Sequence, residues 1–540
     1  MTKKIFKWFS CQPNWLDGIV LSLFAVAITW QPFLLYQTVN LPELGLYLPG
    51  LGAILHGQVP YRDFFYLRGP FELYLPAFLM RLFGEHLAVL STYFYVGTVI
   101  ALITCVWIAC EVFTTRIFLY TMVPVLIART FPRVVFAYWG GMRYAWGLLA
   151  IFCVIRFFSK NQKRWLLISG LLTAVAGLTS IEIGVSVFAA FIIGIVLCRR
   201  NWQKTIFTYM IGIGIIFVPY FLYMAYQGAW ADYAKDQWVI VTQLNHDFLK
   251  TEVAPSNVGQ FFHALIVMTD KNFRQITPVY CYLAFAIYLF LRQRRRRLDK
   301  MDYSVIVIAI YGIMIYFPAW FRSIWTSVFE MSLQPEKIVL FYVLARGSLQ
   351  LLSKQHFKKI AYMLITAIVI SSFAYCIPRF SKRFFVFWRK PFKNQISTKI
   401  NLPRIKGMVL PQWQAADFIQ LKQFVDTHTL SGELIWMLPE LGAIHFIVER
   451  PWIGKFPTAT LTWFSDEWYE QYMRELKRVK PRYAIFEKKS PKHFEEEVGL
   501  SIRAKNKFKA QISYLQENYF IISETPSYNI YIRNDLRKGS

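Results

Sequence analysis

What most constrains this chain is a succession of apolar runs, each about as long as a bilayer is thick. A spanning helix needs ~20 mainly apolar residues, within a range of about 17–25, because every backbone N–H and C=O must find its partner inside the segment. Such runs lie at 17–36, 87–110, 117–132, 142–158, 166–180, 182–198, 205–226, 276–291, 303–320, 337–352 and 360–377. The composition agrees, with 56% hydrophobic, 18% aromatic and only 17% charged residues. Disordered, collagen-like and coiled-coil chains need the opposite balance, and a soluble domain carries more charge. The expected fold class is an α-helical polytopic membrane protein with about 11 transmembrane helices and a small C-terminal extracytoplasmic α/β domain.

The net charge of +28 invites a nucleic-acid reading, which the placement of the charges opposes. The basic runs are short and lie between apolar stretches, at Lys160–Arg164, Arg199–Lys204, Arg292–Lys300 and Lys354–Lys359. Cytoplasmic loops of membrane proteins have this character. With Met1–Lys7 inside and 166–198 divided into two helices, all four basic loops fall on the cytoplasmic side. Merging those two helices would turn two of the loops outward. An odd number of spans then leaves the C-terminus outside. Ala25-Val26-Ala27 could serve as a leader cleavage site, but the apolar run continues to Leu35, which favours an uncleaved first span. None of the seven cysteines has the spacing of a metal site or a disulfide framework, and they read as small buried hydrophobes.

On this layout residues 1–378 form the membrane domain, with a first outer loop at 37–86 and a second at 227–276. Residues 379–406 form a basic juxtamembrane linker, suited to anionic headgroups. From 407 to 540 the composition becomes that of a soluble domain. Its expected order is helix (Gln412–His428), strand (Glu433–Leu438), helix (Leu441–Glu449), helix (Asp466–Val479), strand (Arg482–Glu487), helix (Lys507–Tyr519) and hairpin (Phe520–Asn534). This is a small open α/β unit. It has neither a Gly-rich phosphate loop nor an Asp-x-Asp pair, so the chemistry is expected elsewhere.

The first outer loop is too polar to span and too apolar to float in water, and its aromatics suit the interface. Asn40 reads as an N-cap, Pro42 as a first-turn residue and Gly57 as the end of one helix from 40 to 57. Glu43 then sits in the first turn, where it either stabilises the helix start or accepts a proton from a substrate hydroxyl. Arg62 and Asp63 either pair locally to pin the turn or serve a site together with Arg68. Arg68-Gly69-Pro70 opens a second helix, Phe71–Phe83, whose free N–H groups could hold an anion. Guanidinium groups beside carboxylates suit work on a lipid phosphate.

Elsewhere, Arg133 and Arg143 flank a short outer turn, and an arginine at the membrane edge needs a partner, either a phosphate or a structural acid. Glu182 lies at the break of the 166–198 hairpin, and Glu330 and Lys337 precede the tenth span. His56, His246 and His263 lack ligand spacing.

Glu43-x-Gly45-x-Tyr47, then Gly57-x-x-Pro60-Tyr61-Arg62-Asp63-Phe64-Phe65, Gly69-Pro70 and Leu82-Phe83-Gly84, together resemble the first outer loop of GT-C membrane glycosyltransferases. The branch most similar is that of bacterial protein-mannosyltransferase and aminoarabinose-transferase relatives. The resemblance is specific over about 40–85 and architectural elsewhere. It implies a sugar donor carried on a polyprenyl phosphate and an inverting transfer at the outer face of a cell inner (plasma) membrane. The acceptor is a glycan, lipid or protein. Glu43 stands at the position of the family's first-loop Asp and would be catalytic, with Asp63 next. Arg62, Arg68 and Arg143 would hold the donor phosphate. Leu44 replaces a second acid found in many relatives, so a divalent cation is left open rather than implied. No other cofactor is expected. Two other classes stand beside this reading: a multi-pass transporter or lipid flippase, and a non-catalytic assembly protein on the same scaffold. No internal repeat supports the former. The absence of Asn-x-Ser/Thr sequons favours a bacterial membrane.

Overall fold

The structure, a computed structural model, describes residues 8–130, 141–198, 202–242, 258–267, 273–294, 298–322, 334–387, 396–457, 465–492 and 502–539. A helix lies in each of the apolar runs. These helices are α1 (Trp15–Thr29), α5 (Leu87–Val112), α6 (Arg116–Thr130), α7 (Gly141–Lys160), α8 (Lys163–Thr179), α9 (Ile181–Cys198), α10 (Trp202–Tyr226), α13 (Phe273–Arg294), α14 (Lys300–Arg322), α15 (Gln334–Leu352) and α16 (Lys358–Phe387). Among the described residues, 6 helices are long and apolar enough to cross a membrane. The helices carry a girdle of exposed apolar side chains, among them Leu23, Phe207, Leu222 and Met363, each more than 60% exposed. Water would not tolerate such a surface, whereas lipid requires it. The 166–198 run does divide, at Ser180, whose backbone turns extended between α8 and α9.

The first helix is shorter than expected. It stops at Thr29, and Trp30 leaves the helical region. Residues 31–36 instead turn back, and Tyr36 bridges to Val409 of the C-terminal unit. The single helix expected over 40–57 is two helices, α2 (Leu41–Gly45) and α3 (Leu48–Leu55). Pro49, in the first turn of α3, has no N–H to continue a ladder from α2, so the chain restarts there. Asn40 caps α2 as expected, accepting from the Glu43 N–H at 3.2 Å. The helix α4 (Phe71–Phe83) exposes Phe78, Leu82 and Phe83. That apolar stripe suits a helix lying in the interface.

The C-terminal unit contains a four-stranded sheet of order β3-β4-β6-β5, namely Ile435–Leu438, Tyr483–Glu487, Tyr528–Arg533 and Tyr519–Glu524. The first pair is parallel and the other two are antiparallel. Helices α17 (Gln412–His428), α18 (Gly442–Val448), α19 (Asp466–Val479) and α20 (Ile502–Asn518) accompany it. The unit begins before 407, because β1 (Ser397–Lys399) pairs with β2 (Val409–Pro411). Within the linker, Arg404 does not face headgroups: it bonds to Glu85 of the loop and to Glu449 of the C-terminal unit.

One hydrophobic core runs from the membrane helices through the first loop into the C-terminal unit. The Gln414 amide seals the junction by accepting from the Val39 N–H at 2.8 Å and donating to its carbonyl at 2.9 Å. Helix α11 (Trp230–Thr242), in the second loop, joins the same unit through Lys235–Glu467 at 2.6 Å and Asp232–Lys455 at 3.0 Å. Both loops and the C-terminal unit therefore share one side of the helical bundle.

Candidate functional site

The loop reaches its working shape through two tight contacts. Tyr61 takes a left-handed conformation, φ 69°, which is costly for a bulky residue. Its N–H donates to the Phe64 carbonyl at 2.7 Å, its ring is fully buried, and its hydroxyl donates to the Arg68 carbonyl. Gly69 then lies against the end of α8. A Cβ there would sit 2.5 Å from the Leu178 carbonyl carbon and 2.8 Å from that of Thr179. Only glycine permits this approach, which lets the Gly69 N–H donate to the Thr179 carbonyl at 3.1 Å. That N–H is thus occupied, and the anion-binding helix start expected at 68–70 is not available there.

On the far side of the same junction, α5 and α7 cross at Gly97, where an added Cβ would meet the Met142 Cα at 2.7 Å. This crossing sets the first turn of α7, which carries Arg143, against α5. Arg143 is 9% exposed and donates through Nη2 to Glu182 Oε1 at 2.5 Å. Its Nε is buried with no partner among the described residues.

Arg68 and Arg143 belong to one charged cluster around the buried Tyr47 hydroxyl. The charges of Arg68, Glu72, Arg143 and Glu43 all act on that hydroxyl. Arg68 donates to the Tyr47 oxygen and lies 5.4 Å from its ring centroid. Glu72, 1% exposed, accepts from Tyr47 at 3.1 Å and from Tyr66 at 3.0 Å, while Arg68 Nη1 approaches its two oxygens at 3.3 and 3.5 Å. Burial pushes both tyrosines well above the ordinary phenol range, so they remain neutral donors. Burial works against the Arg68 cation, yet the charge of Glu72 and its neighbours holds its pKa well above the usual value.

Arg62 and Asp63 take the local alternative. They form a two-pronged pair at 2.8 Å for both bonds, and Asp63 also caps the turn by accepting from the Val59 N–H at 2.7 Å. Arg62 Nη1 is spent on the Gln227 carbonyl and side chain at 3.1 and 3.0 Å. The Arg62 hydrogen bonds hold the Asp63 carboxyl below its usual range. Both residues therefore serve the turn and its contact with the second loop. Leu44, at the position of a second acid, is buried at 2% exposure.

Of the other candidates, Lys337 pairs with the buried Glu336 at 2.6 Å, and His56 bonds the Gly52 carbonyl of its own helix at 2.7 Å. His263 is exposed. Arg133, Glu330 and His246 lie outside the described residues. Among the described residues no group of three or more His, Cys, Asp or Glu could hold a metal ion. The sequence reading missed Glu72 and Tyr66. The Arg68–Glu72 spacing of four on a helix start was the available signal. It also missed Asp236 of α11, whose carboxyl is pushed up to about 7 by burial, against the opposing pull of Lys455.

No known family model matches the sequence, and no curated protein matches it either. Solved structures do match. ArnT from Cupriavidus metallidurans, solved bound to undecaprenyl phosphate, is similar over 95% of this chain and 97% of its own, with TM-score 0.55 at 10% identity. The Archaeoglobus fulgidus oligosaccharyltransferase, solved with a tethered acceptor peptide, is similar over 95% of this chain and 73% of its own, with TM-score 0.53 at 12% identity. At 10–12% identity these likenesses show the fold: the chain shares the polytopic helical architecture of both proteins.

Proposed function

We propose that the chain is an inverting glycosyltransferase that moves a sugar from a polyprenyl-phosphate donor to an acceptor on the outer face of the membrane. The observation that supports this reading is the buried Arg68, seated on the Tyr47 hydroxyl beside Glu72, in a first loop on which the C-terminal unit is docked. The acceptor hydroxyl attacks the anomeric carbon from the face opposite the phosphate. Glu43 takes its proton or orients it. The bond to the phosphate oxygen breaks with its electron pair staying on oxygen, and Arg68 and Arg143 stabilise the charge that grows there. Arg62 and Asp63 have no part in these steps. Helices α1 and α5–α10 and α13–α16 supply eleven crossings in this reading, and their exposed apolar faces accommodate the lipid tail.

Purified protein should bind undecaprenyl phosphate, and Arg68→Ala combined with Arg143→Ala should abolish binding while leaving the protein folded. Unaltered binding by the double variant would refute the phosphate site. Labelling of cysteines introduced over 40–70 in intact cells tests sidedness, and protection from an impermeant reagent would place the loop on the wrong face.

A further inference from the structure

Glu72, beside Arg68, is a carboxylate to which the transfer steps assign no work. It is anchored without help from Arg68, since one oxygen accepts from Tyr47 at 3.1 Å and the other from Tyr66 at 3.0 Å. Arg68 reaches the same oxygens only at 3.3 and 3.5 Å. A charge-assisted bond between such groups is normally ~2.7–2.9 Å. Glu72 thus offers Arg68 a nearby opposite charge more than a close hydrogen-bonded seat. A phosphate arriving at Arg68 must compete with that charge, and it gains Arg68 at the expense of the resident pair.

We infer that Glu72 is a positioning residue that acts through Arg68 to hold down affinity for the lipid-phosphate product and so promote its release. The inference rests on the reading of Arg68 as a phosphate holder. Its sign follows from the charge balance of transfer. The donor is a phosphodiester with one negative charge. When the sugar leaves, the retained electron pair makes the product a monoester, whose second ionisation near pH 6 brings it close to two charges at neutral pH. Glu72, fixed beside Arg68 as its resident ion-pair partner, opposes the second charge more than the first. Its removal therefore tightens the product more than the donor, whereas removal of a merely structural acid weakens both.

The test measures binding of undecaprenyl phosphate and of its monomethyl ester, a singly charged probe, to the full-length protein at pH 8. Glu72→Gln is expected to tighten the monoester about tenfold, as expected for an unscreened charge a few ångströms away, and the ester by less. Should Glu72→Gln unfold in detergent, added undecaprenyl phosphate is expected to restore its thermal stability by satisfying Arg68. Weaker or unchanged monoester binding, equal tightening of the two probes, or an unfolded variant that the lipid phosphate fails to rescue would overturn the inference. Arg68→Ala separates the two ideas. If it binds both probes as well as wild type, the phosphate-holding reading of Arg68 itself is wrong.

Discussion

Substituting Gly69 by alanine probes the site without touching any charged group. The added methyl would lie 2.5 Å from the Leu178 carbonyl carbon, 2.8 Å from that of Thr179, and closer still to the Leu178 oxygen. All of these are backbone atoms, so no side chain can swing aside. An ordinary contact begins near 3.4 Å, so the loop must retreat from α8 by about 1 Å. The retreat also stretches the Gly69 N–H bond to the Thr179 carbonyl, now 3.1 Å. Arg68, the preceding residue, moves with it and is displaced from its seat on Tyr47 and Glu72. A displacement of ~1 Å at a reacting centre costs on the order of 100-fold in rate. The assay is sugar transfer by purified Gly69→Ala from a polyprenyl-phosphate sugar. The control is Gly214→Ala, whose methyl meets nothing within 4 Å. A Gly69→Ala enzyme within about threefold of that control would refute the claim that this contact sets the position of Arg68.

Other expectations concern the residues around that centre. Asp63→Asn should leave transfer almost unchanged but cost up to about 1 kcal/mol of stability at neutral pH, the usual limit for an exposed pair. Because the folded carboxyl is held below its usual range, that stability is present above the unfolded value of about 3.9 and is lost as pH falls through the folded one. Thermal melts of the two proteins should therefore converge in acid, and a constant gap would argue against the pair. Asp236 behaves in the opposite sense. Its folded value of about 7 lies above the unfolded one, so it burdens the folded state as pH rises from about 4 to about 7, and fully above that. Asp236→Asn should raise the melting temperature at pH 8 and do little at pH 4, and a uniform shift across both would contradict this.

The parts of the fold legible in the sequence are those governed by local rules. Apolar length marked where the long helices lie, and the division at Ser180 followed from where the basic loops were expected. Asn40 capped its helix as its side chain predicts, and the strands and helices after 407 fell within a few residues of expectation, except that the last helix begins earlier, at Ile502. What stayed hidden depends on contacts distant in sequence. Trp30–Tyr36 reads as membrane-spanning because it is apolar, yet it leaves the helix to pair with Val409 across the C-terminal junction. The restart at Leu48 did have a local signal in Pro49, whose missing N–H ends a continuous ladder. Arg62 and Asp63 looked like reactants because a charged pair in a loop does, although their adjacency already offered the local pairing they adopt. Glu72 was invisible as a site residue because Tyr47 and Tyr66, the groups that bury it, look like interfacial aromatics when read singly.

The most direct test of the account is transfer by Glu43→Gln, measured together with its binding of undecaprenyl phosphate. The substitution keeps the shape and first-turn position of the side chain while removing its capacity to accept a proton. The account predicts that transfer falls by about 100-fold or more, within the range general-base removal produces, while lipid-phosphate binding persists. Turnover equal to wild type would contradict it.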